Sequence, residues 1–175
     1  MSVTSILLPA RNLNGMIPTS IGTFRNLSTL DLGLNSLTGT VPFKQLSEGP
    51  KSLNFLDLSF NSLLGAPLEY PLKSLKYLRL GHNHFDGRLP TTLYLMTALK
   101  VANFDFNLLH GNDISYMSSV FSSMLSLRDF SVDSNNLSGP LTSIIDAISA
   151  ASGLTRLNLN GNQFTGYIGS SISKV

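Results

Sequence analysis

Two histidines, His82 and His84, are the residues of this sequence best suited to metal chemistry. Asp57 lies 25 residues before His82, and Asp105 lies 23 residues after it. A zinc site needs three or four ligands within tetrahedral reach of one another. The two imidazoles occupy inequivalent positions of a turn, and nothing in the pattern forces a third ligand close to them. The sequence therefore favours a solvated turn, and we predict no metal site.

Signatures of catalysis are missing from the sequence. It contains no Gly-x-Ser-x-Gly elbow, no His-Glu-x-x-His, no Walker loop, no Gly-x-Gly-x-x-Gly and no cysteine. The 10 acidic residues are scattered along the chain, whereas acid–base catalysis needs carboxylates that converge in one pocket. We predict that the chain is not an enzyme and that it uses no cofactor.

Composition excludes further classes of protein. Charged residues make up 13% of the 175 residues and the net charge is +2, so no basic stripe is available to neutralise nucleic-acid phosphates. The hydrophobic share of 42% is too high for a disordered chain. The longest apolar runs span three or four residues, and we therefore predict no membrane-spanning segment.

A repeat of the form Leu-x-Leu-x-x-Asn-x-Leu-x-Gly organises the sequence. Seven copies align over nearly its whole length, and successive copies are 24, 26, 22, 24, 28 and 27 residues apart. No single copy can bury its own leucines, so the copies must stack on one another. The turn position that anchors each copy is held by Arg11, Asn35, Asn61, Asn83, Asn107, Asn135 and Asn162.

Each part of the repeat has a physical role. The alternation in Leu30-Asp31-Leu32 predicts a short, half-buried strand with its leucines directed inward. A buried asparagine in the following turn can satisfy backbone groups of its own and neighbouring copies. The glycine after it permits a backbone conformation that other residues avoid. We therefore expect the six anchor asparagines to form a ladder along the stack.

The repeat resembles the leucine-rich repeat, and more narrowly the plant-type subclass found in receptor-kinase ectodomains and polygalacturonase inhibitors. That subclass adds Gly-x-Ile-Pro after the asparagine turn, a pattern that residues 15–18, 39–42 and 87–90 follow. The resemblance implies an α/β fold, a right-handed solenoid of about seven repeats with a concave parallel β-sheet. Its convex side is expected to carry 3₁₀ turns, short helices and two longer α-helices.

The convex segments can be assigned individually. Residues 17–27 and 89–99 favour 3₁₀ turns, and residues 48–51 predict an exposed loop. Two amphipathic helices are expected to pack onto the solenoid, although such faces could also bind a partner helix. The first has Asp113 as N-cap, and the apolar positions of the two helices are Ile114, Met117, Val120, Phe121, Met124 and Leu125, then Leu141, Ile144, Ile145, Ile148 and Ala151.

We expect residues 1–175 to form a single leucine-rich repeat domain. Neither end shows the polar cap that a solenoid needs, so we interpret the sequence as part of a longer protein. Asn26 and Asn136 begin Asn-x-Ser sequons and are the expected glycosylation sites if the parent protein is secreted. The family resemblance suggests an extracellular or cell-surface location.

Partner binding is expected on the concave face, where side chains that flank the inward-facing positions are free to vary. Aromatic residues and arginine are enriched at binding hot spots, and the middle of this face collects them. The alternative is that these aromatic rings only pack across neighbouring strands. The predicted partner-binding residues are Phe55, Asp57, Phe60, Tyr77, Arg79, His82, Asp105 and Phe106.

Three functional interpretations follow from this pattern. The favoured one is a recognition scaffold that binds a protein or peptide on the concave sheet. The second is a structural or adhesive surface array without a specific concave ligand. In the third, the chain is the sensor part of a larger receptor-like protein whose catalytic domain lies outside this sequence.

Overall fold

The computed structural model describes residues 2–112, 117–149 and 153–166. Short parallel strands alternate between two sheets, and each repeat contributes one strand to each sheet. The concave sheet consists of β1 (Ser5–Leu7), β3 (Thr29–Asp31), β5 (Phe55–Asp57), β7 (Tyr77–Arg79), β9 (Val101–Asn103), β11 (Asp129–Ser131) and β13 (Arg156–Asn158). The second sheet consists of β2 (Asn14–Met16), β4 (Ser36–Thr40), β6 (Ser62–Gly65), β8 (His84–Gly87), β10 (Leu108–Gly111), β12 (Asn136–Pro140) and β14 (Gln163–Thr165).

Registered stacking of the leucine positions builds the core. Leu30 pairs with Leu56, Leu56 with Leu78, and Leu78 with Ala102 across neighbouring strands of the concave sheet. All four side chains are buried, as are most of their counterparts two residues further along each strand. Burial of apolar surface, at about 25 cal/mol per Å², favours this arrangement. The two stacked sheets of seven strands confirm the predicted solenoid of about seven repeats.

The asparagine ladder is present and follows one pattern from repeat to repeat. Asn83 accepts a hydrogen bond at Oδ1 from the Leu63 backbone N–H, at 3.0 Å. Its Nδ2 donates to the carbonyl oxygens of Leu58, Leu80 and Gly81, at 2.9, 3.1 and 3.3 Å. One side chain therefore satisfies backbone groups in its own repeat and in the preceding one. Within the described residues, no buried side-chain nitrogen or oxygen lacks a partner.

The convex side follows the predicted pattern with one correction. The 3₁₀ turns occupy Thr19–Thr23 and Thr91–Leu95, and the helices are α1 (Phe43–Glu48), α2 (Met117–Ser123) and α3 (Leu141–Ser149). The exposed loop predicted at residues 48–51 is wrong, because Glu48 ends α1 and the next two residues are buried. A β-carbon at Gly49 would lie 2.1 Å from the Gly22 carbonyl oxygen, so this segment packs closely against the preceding repeat.

The two longer helices bury the expected apolar faces, except at one position. Met117, Val120, Phe121 and Met124 are buried, but Leu125 is 61% exposed because α2 has already ended. Asp113, Ile114 and Ala151 lie outside the described residues, as does the Ile148 side chain. Within the described part of the chain, no helix is long and apolar enough to cross a membrane.

Candidate functional site

A column of three stacked rings lies along one edge of the concave sheet, where the strands end. The His82 ring lies 4.0 Å from that of Phe60, with 13° between the planes, and 4.3 Å from that of Phe106, with 11° between the planes. Phe60 and Phe106 are each 47% exposed. We call Phe60, His82 and Phe106 the aromatic column. The predicted residues that directly precede the ladder asparagines are thus brought into direct contact.

The backbone at this column is left-handed, which the sequence pattern did not reveal. Phe60, His82 and Phe106 have φ values of 56°, 55° and 51°. The equivalent position of every other repeat is also left-handed, at Ala10, Leu34, Ser134 and Gly161. The fold therefore imposes this conformation, which costs non-glycine residues about 1–2 kcal/mol. Glycine or asparagine would avoid part of that cost, so two phenylalanines here invite a functional explanation.

A second group of predicted residues surrounds the Arg79 guanidinium. Arg79 Nη1 lies 3.4 Å from Asp57 Oδ2, and Arg79 Cζ lies 5.7 Å from the centre of the Phe55 ring. The Phe55 and Tyr77 rings are tilted against each other with centres 6.2 Å apart. Arginine over an aromatic ring gains cation–π attraction, so these contacts hold the guanidinium across two neighbouring strands.

The two predicted aspartates are held in place by hydrogen bonds. Asp57 is only 8% exposed, and its Oδ1 accepts from the Ser59 backbone N–H at 3.0 Å and from Ser59 Oγ at 2.6 Å. Asp105 Oδ1 accepts from Ser131 Oγ and from the Asp133 backbone N–H, at 2.7 Å for the latter. Both carboxylates therefore have fixed orientations on the concave face.

A hollow of about 420 Å³ opens between the aromatic column and these charged groups; we call it the concave hollow. Gly81 lies in its wall, and a β-carbon there would lie 2.5 Å from Asn103 Oδ1. Ten residues line the hollow, and five of them were predicted. The prediction missed the other five, although they lie at the same outward-facing positions of the repeat. The lining residues are Asp57, Ser59, Phe60, Arg79, Gly81, His82, Val101, Asn103, Asp105 and Asp129.

Asp129 at the hollow's margin is paired with a cation from the next repeat. Arg156 Nη2 donates to Asp129 Oδ2 at 2.7 Å. This hydrogen bond, followed by the attraction of the Asp129 charge, raises the pKa of Arg156 above its ordinary value.

The remaining predicted residues, Phe55, Tyr77 and Phe106, lie beside the hollow rather than in its lining.

The two histidines considered for metal binding belong to different structures. His82 is stacked in the aromatic column, whereas His84 begins β8 in the second sheet. Among the residues that the structure describes, no three histidine, cysteine or carboxylate side chains are placed to hold a metal ion.

Both sequon asparagines are exposed, but their surroundings differ. Asn26 lies in a turn that precedes β3. Asn136 lies in β12, between β10 and β14, and its Oδ1 accepts a hydrogen bond from Gln163 Nε2.

The parallel sheets, the asparagine ladder and the convex turns together define a leucine-rich repeat solenoid. The Leucine Rich Repeat family model matches residues 74–96 and 153–175. Receptor-like protein 35 of Arabidopsis thaliana is 33% identical over 140 residues, which are 80% of this chain and 14% of that protein. Receptor-like protein 32 of Arabidopsis thaliana is 33% identical over 155 residues, which are 89% of this chain and 17% of that protein.

A solved structure gives the same result at the level of the fold. The plant peptide hormone receptor RGFR1 in complex with RGF2 superposes with a TM-score of 0.75 and 28% identity, over 99% of this chain and 30% of that one. The family match, the two relatives and the solved structure together support a plant-type leucine-rich repeat chain. It spans about a sixth of the length of the two curated relatives.

Proposed function

We propose that this chain is a non-catalytic recognition module that binds a peptide on its concave face, as part of a receptor-like protein. The observation that carries the proposal is the aromatic column, in which two half-exposed phenylalanines occupy left-handed backbone positions beside the concave hollow. The similar structure of RGFR1 is that of a peptide hormone receptor bound to RGF2, which supports a peptide as the ligand class.

The chemistry of the face suits an extended peptide. The aromatic column offers apolar surface of the kind that forms hot spots, and Asp57, Arg79 and Asp105 next to it have fixed orientations. Groups that are already ordered lose little further entropy on binding. We propose Phe55, Asp57, Phe60, Tyr77, Arg79, His82, Asp105 and Phe106 as the contact residues, with residues 1–175 as one repeat domain.

A structural array is the second candidate, and one observation favours it. The rings of the aromatic column stack on one another at 4.0 and 4.3 Å, so they stabilise neighbouring repeats even without a ligand. Aromatic pairs contribute about 0.5–1.5 kcal/mol beyond their buried area. That contribution only offsets the left-handed strain at these positions, and it does not require the rings to remain half exposed.

A binding experiment with two triple variants separates the candidates. Peptides are first selected from a displayed random library against the 175-residue chain. The concave variant carries Phe60→Asn, His82→Asn and Phe106→Asn, because asparagine tolerates the left-handed backbone. The control variant carries Met16→Ser, Leu64→Ser and Leu108→Ser, three exposed apolar positions of the second sheet. Circular dichroism verifies that both variants are folded.

We expect the concave variant to lose at least about thirtyfold in affinity for the selected peptides, since one hot-spot residue is worth about 2 kcal/mol. The control variant should bind within about twofold of the parent, since it leaves the concave face intact. Equal loss in both variants, or unchanged binding by the concave variant, would overturn the proposal in favour of a structural array.

A further inference from the structure

Cations occupy three successive repeats at the edge of the concave sheet where the strands begin. Lys76, Lys100 and Arg128 directly precede β7, β9 and β11. The Lys100 backbone N–H donates to the Lys76 carbonyl oxygen at 2.8 Å, and the Arg128 N–H donates to the Lys100 carbonyl oxygen at 2.9 Å. These bonds fix the three residues side by side. We call them the basic ridge.

All three side chains of the basic ridge are exposed. Within the described residues, none of them forms an ion pair with a carboxylate, whereas Arg79 and Arg156 on the same sheet do. Arg128 Nη1 donates to the carbonyl oxygens of Leu125 and Leu127, both at 3.0 Å, which leaves its other N–H groups for a ligand.

The fold itself does not require cations at this position. The equivalent residues of other repeats are Thr4, Ser28, Asn54 and Thr155, and they join the same ladder of backbone hydrogen bonds. Adjacent strands lie about 4.8 Å apart, and like charges directly opposite each other destabilise a sheet. The basic ridge therefore carries mutual repulsion that a bound anion would relieve.

A smaller hollow of about 300 Å³ continues the basic surface toward earlier repeats. Lys51, Lys73, Ser47 and Ser74 are among its lining residues. Ser74 Oγ donates to the Lys51 carbonyl oxygen at 2.6 Å, and Lys51 Nζ donates to the Ser47 carbonyl oxygen at 2.9 Å. Five of the chain's 12 cations thus lie along one side of the solenoid, in four successive repeats.

We propose that the basic ridge is a second interaction surface, which binds an acidic segment of a peptide through its carboxylates. The ridge spans two steps between strands, about 10 Å, and an extended peptide covers that length in three residues at about 3.3 Å each. Acidic residues three positions apart therefore match the outermost cations. The choice of a peptide over another polyanion rests on the proposed function, whereas the choice of an anion rests on the ridge alone.

The ridge is separate from the aromatic column. Lys76 directly precedes β7 and His82 lies in the turn that follows β7, so the two residues lie at opposite ends of that strand. A defect at one surface therefore leaves the other intact, and the two proposals can fail independently.

The test uses two synthetic probes with the 175-residue chain, a hexapeptide of glutamate and the same hexapeptide of glutamine. The ridge variant carries Lys76→Gln and Lys100→Gln in the basic ridge, together with Lys73→Gln in the adjoining smaller hollow. It keeps Arg128, whose guanidinium is bonded to backbone carbonyl oxygens. The control variant carries Arg11→Gln, Lys44→Gln and Arg88→Gln, which removes the same three charges from exposed positions elsewhere. Binding is measured by fluorescence anisotropy at 50 and 200 mM salt.

We expect the parent and the control variant to bind the glutamate probe, and the ridge variant to bind it about tenfold more weakly, because three exposed ion pairs are lost. Binding should weaken at the higher salt concentration. Equal loss in both variants would show that only net charge matters and would overturn the proposal. Equal binding of the glutamate and glutamine probes would overturn it as well.

Discussion

The asparagine ladder can be tested at Asn83, which is 6% exposed and lies in the middle of the stack. The substitution Asn83→Leu keeps a similar volume and removes four hydrogen bonds. Each of the three carbonyl oxygens keeps a second donor. Asn61 Nδ2 still donates to the Leu58 oxygen, Asn107 Nδ2 to the Leu80 oxygen and the Phe60 N–H to the Gly81 oxygen. The Leu63 N–H, in contrast, loses its Oδ1 acceptor.

The expected cost of Asn83→Leu is therefore that of one unsatisfied buried N–H, about 1–3 kcal/mol. A cost of 2 kcal/mol corresponds to a fall of about 4–8 °C in the melting temperature of a chain of this size. Thermal unfolding followed by circular dichroism measures it. The control is Asn14→Leu at an exposed position of β2, for which we expect a change within about 0.5 kcal/mol.

A second substitution at the same position separates the two ends of the side chain. Asn83→Asp keeps an acceptor for the Leu63 N–H but turns an acceptor toward the carbonyl oxygens of Leu58, Leu80 and Gly81. At pH 7 we expect it to destabilise the fold more than Asn83→Leu, because the second oxygen of the buried carboxylate faces carbonyl oxygens and has no donor. If Asn83→Leu costs no more than Asn14→Leu, the ladder does not hold the repeats together as described.

Three further predictions concern packing, the aromatic column and glycosylation. Thermal unfolding should show that Gly49→Ala destabilises the chain by about 3 kcal/mol, because the new methyl group meets the Gly22 carbonyl oxygen. The control Gly87→Ala has open space around the new methyl group and should cost only about 1 kcal/mol. His82→Asn should reduce the near-ultraviolet circular dichroism of the phenylalanines, with less than about 1 kcal/mol of destabilisation, because relief of backbone strain offsets the lost stacking. An unchanged spectrum would contradict the stacking. In a secreted preparation, mass spectrometry should find glycan on Asn26 and none on Asn136, whose side chain accepts a hydrogen bond from Gln163. Glycan on Asn136 but not on Asn26 would contradict this prediction.

The repeat pattern was sufficient to predict the fold because its signals are periodic and local. The alternation of leucines located the strands of the concave sheet, and the anchor asparagines located the turns. Gly39 and Gly65, each four residues after an anchor asparagine, have φ values of 74° and 88°, as expected for the glycine of the repeat. Errors occurred where the spacing is irregular, as in the loop wrongly predicted at residues 48–51, where α1 and Gly49 pack against the previous repeat.

The site was predicted less completely because its details depend on contacts between repeats. Spacing alone located the outward positions of the strands. It could not show that Asp57 is buried beside Arg79, or that Asp105 accepts hydrogen bonds from the following repeat. The left-handed backbone of the aromatic column was also missed, since leucine, phenylalanine and histidine at such positions run against the usual preference for glycine and asparagine. The signal in the sequence was positional, because each residue directly precedes a ladder asparagine.

The basic ridge and the aromatic column lie at opposite edges of the concave sheet. Lys76, Lys100 and Arg128 lie where the strands begin, and the aromatic column lies where the strands end. This polarity would orient a peptide that carries acidic residues on one side and apolar residues on the other. The two proposed surfaces together therefore predict a directional mode of binding across the sheet.

Footprinting of aromatic side chains by hydroxyl radicals tests the central claim most directly. Oxidation of Phe60, Tyr77 and Phe106 is compared with that of Tyr70 and Tyr94, which are similarly exposed outside the concave face, with and without saturating amounts of a selected peptide. The account predicts that the peptide protects the first three rings and leaves Tyr70 and Tyr94 unchanged. Protection of Tyr70 or Tyr94, with the concave rings still oxidised at the rate of the free chain, would contradict recognition on the concave face.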